Sequence, residues 1–133
     1  MIRVLIVDDS PSVVRMLSYI LSSDRSLHIV GEAANGEEAV RMTARLKPDI
    51  VTMDITMPVM DGFEATRSIM EQTPVPVVIV TSLYDPEEIS LSFRAVEAGA
   101  LMLLRKPVGV GHPAYLQQCR DLIGTVKAMA KVK

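Results

Sequence analysis

An α/β fold built on a doubly wound parallel sheet is what this sequence predicts, and three observations carry the prediction. Short runs rich in Val, Ile and Leu alternate with helix-like segments, five times over 133 residues. Several of those runs are apolar throughout rather than alternating, as strands buried on both faces read. Parallel strands need crossover helices, and such crossovers are right-handed, so a repeated β-α unit winds helices onto both faces of one sheet. The length fits a single domain, with little room for a second.

Each element has its own signal in the chain. Strands are predicted over 3–7, 28–33, 50–53, 77–80 and 102–104. Ser10 before Pro11 reads as an N-cap with proline at the first helical position. Val14, Leu17 and Leu21 then line one face of the first helix. Asn35 with Glu38, Asp61 with Glu64 and Asp85 with Glu88 each resemble a capping box, and Asp85 is again followed by a proline, Pro86. Gly99 stands where a helix end needs a left-handed residue. A long loop is predicted over 108–113, before a last helix whose apolar face is Leu116, Cys119, Ile123 and Val126. Cys119 reads as a small core hydrophobe.

Composition excludes several classes. The chain is 49% hydrophobic and 23% charged, a globular balance rather than a disordered one. Its 14 Lys plus Arg against 16 Asp plus Glu give no bulk drive onto DNA or an anionic membrane. No uncharged stretch approaches the roughly 18 residues of a membrane span. The single cysteine excludes an internal disulfide, and nothing resembles a zinc cluster. No signal peptide precedes the first apolar run, so a cytoplasmic location is expected.

Function is read from the residues just past each strand, because open α/β sheets bind ligands beyond the carboxyl ends of their strands. The first strand ends in Asp8 and Asp9, the third in Asp54, the fourth in Thr81 and the fifth in Lys106. Any one carboxylate could be a cap or a solvated loop residue. As a set they predict one rim carrying three carboxylates, a hydroxyl and an ammonium. Crowded carboxylates repel, which points to a hard divalent cation with oxygen ligands, Mg²⁺ above others.

Here the pattern becomes specific. Ile6-Val7-Asp8-Asp9-Ser10, the run from Met53-Asp54 through Met57-Pro58 to Asp61-Gly62, Thr81, and Lys106-Pro107 together resemble the receiver domain of two-component response regulators. The resemblance covers almost the whole chain, so residues 1–133 are expected to form one receiver. It implies a flavodoxin-like sheet of strand order 2-1-3-4-5. It also implies that Asp54 accepts a phosphoryl group from a phosphohistidine on a sensor kinase. By the same resemblance, Asp9, Asp54 and the Thr56 backbone carbonyl would hold Mg²⁺, with Asp8 assisting through water. Lys106 would contact a phosphoryl oxygen, and Thr81 would turn its hydroxyl toward the phosphate.

Two further stretches, Val30-Gly31-Glu32-Ala33-Ala34-Asn35-Gly36-Glu37-Glu38-Ala39 and the run from Pro76 to Leu83, are similar to the receiver of chemotaxis protein-glutamate methylesterases. That subfamily carries a serine hydrolase domain beyond a linker. This chain has no G-x-S-x-G elbow, so no independent enzyme is expected within it. His112 reads as an exposed loop residue and His28, in a strand, as structural. The loop and helix from about residue 108 would lead toward the downstream domain. A stand-alone receiver, or the receiver of a DNA-binding regulator, remains the alternative. An aspartate-based phosphatase fits less well, since its D-x-D motif is absent. One departure stands out: the resemblance implies Tyr or Phe three residues before Lys106, where this chain has Leu103.

Overall fold

The computed structural model describes residues 1–82 and 88–132. Five parallel strands form one sheet: β1 (Ile2–Val7), β2 (Leu27–Ala33), β3 (Ile50–Met53), β4 (Val77–Thr81) and β5 (Met102–Arg105), in the order β2-β1-β3-β4-β5. Helices α1 (Pro11–Ser22), α2 (Gly36–Leu46), α3 (Gly62–Gln72), α4 (Glu88–Ala98) and α5 (Tyr115–Met129) connect and follow them. The expected α/β class and strand order are both present. Four strands run a residue beyond their predicted span: β1 and β2 start one residue earlier, where Ile2 pairs with Leu27, and β4 and β5 end one residue later, where Thr81 pairs with Arg105.

Two cores flank the sheet. Leu5, Val51, Met53 and Ile79 point to one side, against Ala39 of α2, Phe63 and Ile69 of α3, and Ala95 of α4. Val4, Ile6, Ile50, Val78 and Val80 point to the other, against Leu17 and Leu21 of α1 and Leu122 and Val126 of α5. Adjacent residues of one strand serve opposite cores, and this explains why the strands read apolar throughout.

Local signals end up where they were expected. Ser10 Oγ accepts the Val13 N–H, Asn35 Oδ1 the Glu38 N–H and Asp61 Oδ1 the Glu64 N–H. Gly99 is left-handed at φ 108°. The cap read at Asp85 lies outside the described residues. The predicted face of α5 needs correction. Leu116 is 67% exposed, and Leu122 and Val126 supply the buried contacts. The helix begins at Tyr115, and its inward stripe runs through Tyr115, Cys119, Leu122, Ile123 and Val126. Leu116 lies at the outer margin of that stripe, about 20° beyond Ile123, in the first turn of the helix. Cys119 is half-buried on it. No side chain at Ala114 caps α5; instead the Ala114 N–H donates to Nδ1 of the exposed His112. Among the described residues, no helix is long and apolar enough to cross a membrane.

Candidate functional site

Parallel strands bring their carboxyl ends to one edge, and the predicted residues meet there. Asp8 directly follows β1 and is buried; its N–H donates to the Ala33 carbonyl at 3.0 Å and its Oδ1 accepts the Ser10 N–H at 2.9 Å. Asp9 is exposed beside it. Asp54 directly follows β3, is 7% exposed, and donates its N–H to the Val7 carbonyl at 3.0 Å. Oxygens of the three carboxylates lie within 4.8 Å of one another. Lys106, next after β5, sets its ammonium 2.8 Å from Asp8 Oδ2 and 3.3 Å from Asp54 Oδ1. Its N–H donates to the carbonyl of Thr81, the buried last residue of β4, at 2.8 Å. Thr56 lies two residues beyond Asp54 in the exposed part of the loop.

The loop after Asp54 is held tightly. The Gly62 N–H donates to the Ile55 carbonyl at 2.8 Å, and a Cβ at Gly62 would stand 2.0 Å from the Asp54 carbonyl oxygen. Only glycine fits that approach. Gly36 at the start of α2 donates its N–H to the Met60 carbonyl at 3.2 Å, tying the same loop to a second helix. Val59 between them is left-handed at φ 72°, a conformation that costs a β-branched residue roughly 1–3 kcal/mol.

The electrostatics favour a cation. Asp8, Asp9 and Asp54 contribute −3 and Lys106 +1, so the cluster carries −2. Burial, with Asp8 nearby, pushes the Asp54 carboxyl up to about 6 against the opposing pull of Lys106. Burial works against the charge on Lys106 too, but its contacts with Asp8 and Asp54 win and raise it above the ordinary lysine value. Asp8 Oδ2 is buried with no well-aligned hydrogen-bond donor, the Lys106 ammonium being its ion-pair neighbour. A buried carboxylate oxygen with a lone pair to spare beyond its ion pair, in an acidic oxygen cluster, suits a hard divalent cation. An open cleft of about 270 Å³ adjoins the cluster at Asp8 and Asp9 and is lined also by Arg15, Glu32 and Glu38.

Every carboxylate singled out in the sequence is therefore at the site, with Lys106 among them. Two contributors had no readable role. Gly62 is read in the sequence only as the last residue of the run from Met53 that carries the resemblance, with no local reason for a glycine there. Gln118, from α5, accepts the Val108 N–H at 2.8 Å, a contact across ten residues that no local pattern announces.

Comparisons with known proteins agree with this geometry. The family model of the response regulator receiver domain matches residues 4–113. A protein-glutamate methylesterase/protein-glutamine glutaminase of Methanospirillum hungatei is 49% identical over 133 residues, all of this chain and 38% of the relative. One from Geobacter metallireducens is 51% identical over the same span and share. The chain thus spans 38% of the length of these curated relatives. Among solved structures, the response regulator domain of Thermotoga maritima CheB superposes with a TM-score of 0.86 at 36% identity, covering 100% of this chain and 98% of that one. The CheX-CheY-BeF3-Mg+2 complex from Borrelia burgdorferi gives 0.74 at 35% identity, covering 91% and 88%.

Proposed function

The chain belongs to the response regulator receiver domain family, and from that premise we propose that it is a cytoplasmic switch driven by phosphorylation of Asp54. The observation that carries the reading is the cluster of Asp8, Asp9 and Asp54 with the Lys106 ammonium 2.8 and 3.3 Å from two of them.

Asp54 is the nucleophile. With its carboxyl at about 6, it is mostly ionised at neutral pH. Its oxygen attacks phosphorus in line, an O–P bond forms, and the N–P bond to a kinase phosphohistidine breaks. Asp9, Asp54 and the Thr56 carbonyl would hold Mg²⁺, with Asp8 assisting. When bound, Mg²⁺ supplies two positive charges that bring the −2 cluster to neutrality before an anionic phosphoryl group arrives. Lys106 stabilises a phosphoryl oxygen, and its two carboxylate contacts keep its ammonium charged at that place. After transfer, Asp8 and Asp9 contribute −2, the acyl phosphate about −2, Lys106 +1 and the cation +2, leaving about −1. The Thr81 hydroxyl then reports the phosphate to the rest of the fold.

The donor is a sensor histidine kinase of the chemotaxis type. The output is control of a methylesterase domain tethered beyond a receiver that occupies residues 1–133. The relatives' length and names support that reading. So do Phe93 and Val96 on α4 and Met102 on β5, apolar side chains exposed on one flank of the fold. Incubation with a small phosphodonor and Mg²⁺ should add one phosphoryl group by mass spectrometry, and Asp54→Asn should block it. Undiminished labelling of that variant would overturn the assignment.

A further inference from the structure

We infer that Gln118 is a positioning residue for Lys106: through the backbone of Val108 it holds the lysine where it meets Asp8 and Asp54. The inference rests on the role of Lys106 proposed above. A lysine stem is long and rotates freely, so where its ammonium falls depends on how firmly the backbone beneath it is held. Two hydrogen bonds bracket that backbone. On the strand side, the Lys106 N–H donates to the Thr81 carbonyl at 2.8 Å. On the loop side, Pro107 is buried and has no N–H to give. The next donor, Val108 N–H, goes to Gln118 Oε1 at 2.8 Å.

Beyond Val108 the loop bonds to itself and to the start of α5, the His112 N–H donating to the Gly109 carbonyl at 2.9 Å and the Tyr115 N–H to the His112 carbonyl at 3.0 Å. Gly109 and Gly111 have nothing within 4 Å of where a Cβ would be, and Val110 is 79% exposed. Gln118 itself stands on firm ground. Its N–H donates to the Ala114 carbonyl, so its backbone is already part of α5. It is half-buried, in a groove of about 170 Å³ between β5 and α5 that Leu104, Arg105, Asp121 and Leu122 also line. The neighbouring Gln117 shows the contrast: its amide is engaged with Asp121 and Arg120 on the exposed face of the same helix. Of two adjacent glutamines, one braces the helix surface and the other braces the phosphorylation site.

Two variants separate this role from packing. Gln118→Met keeps length and bulk but loses the acceptor; Gln118→Glu keeps the acceptor. Each is compared with wild type at saturating acetyl phosphate and Mg²⁺, alone and in a Lys106→Ala background. Gln118→Met should slow labelling of Asp54 on the order of fivefold, the scale of one lost hydrogen bond. It should not weaken Mg²⁺ binding, and it should add no further slowing when Lys106 is already alanine. Gln118→Glu should restore most of the wild-type rate. Equal slowing with and without Lys106, a Glu variant as slow as the Met variant, or a Met variant as fast as wild type would each overturn the inference while the switch reading stands. Failure of wild type itself to be labelled would overturn both.

Discussion

Replacing Asp54 by asparagine should make the metal-free protein more stable, not less. In the folded chain the Asp54 carboxyl is raised from 3.8 to about 6, first by burial and then by Asp8, with Lys106 only partly offsetting them. Between those values the folded state holds a proton that the unfolded state has released, so stability falls as pH rises through the window. The full cost of ionising Asp54 is present above about pH 6. The rise from 3.8 to about 6 puts that cost at about 3 kcal/mol. Asparagine has nearly the same shape and never ionises. Asp54→Asn should therefore gain about 2–3 kcal/mol at pH 7 in EDTA, or on the order of 10 °C in Tm. The gain should shrink toward zero below about pH 4, where both forms are neutral. Excess Mg²⁺ should narrow it as well, because a cation bound more tightly by the folded wild type than by the variant stabilises the wild type more by mass action. Urea unfolding from pH 4 to 8, with EDTA and with Mg²⁺, measures all three effects. A variant no more stable than wild type at pH 7 in EDTA would refute the reasoning that burial and Asp8 outweigh Lys106.

The same site fixes two other outcomes. Asp9→Ala should weaken Mg²⁺ binding and slow phosphorylation while leaving the fold intact or slightly steadier, since one of three mutually repelling carboxylates is gone; identical Mg²⁺ titrations for both proteins would remove Asp9 from the ligand set. With Leu103 packed against the core where the resemblance implies Tyr or Phe, Thr81 should carry most of the coupling to α4. NMR with beryllofluoride, a phosphoryl mimic, should show Thr81→Ala binding the mimic with a reduced response across α4, and Leu103→Ala losing stability but keeping that response; the reverse pattern would place the coupling at Leu103.

The residues divide by the range of the forces that place them. Ser10, Asn35 and Asp61 each bond an N–H three residues on, a reach set by the geometry of one helical turn, so the sequence alone announces them. The Asp8, Asp9, Asp54 and Lys106 rim was legible for a related reason. Once the strands are parallel, the residues just past each one arrive at the same edge, and no knowledge of side-chain packing is needed. The motif around those residues carried the family as well. Which α5 side chains are buried was not legible, because Leu116 and Leu122 both fit an amphipathic helix and only the rotation of α5 on the sheet chooses between them. The same holds for Gly62, whose need for a bare Cα arises where α3 presses on the Asp54 carbonyl. Nor could sequence show that Lys106 touches Asp8 more closely than Asp54, that Asp54 holds its proton up to about pH 6, or that Gln118 reaches Val108. Those depend on desolvation and on distances between segments remote in the chain. Such quantities exist only once the sheet and both helical layers have closed around the site.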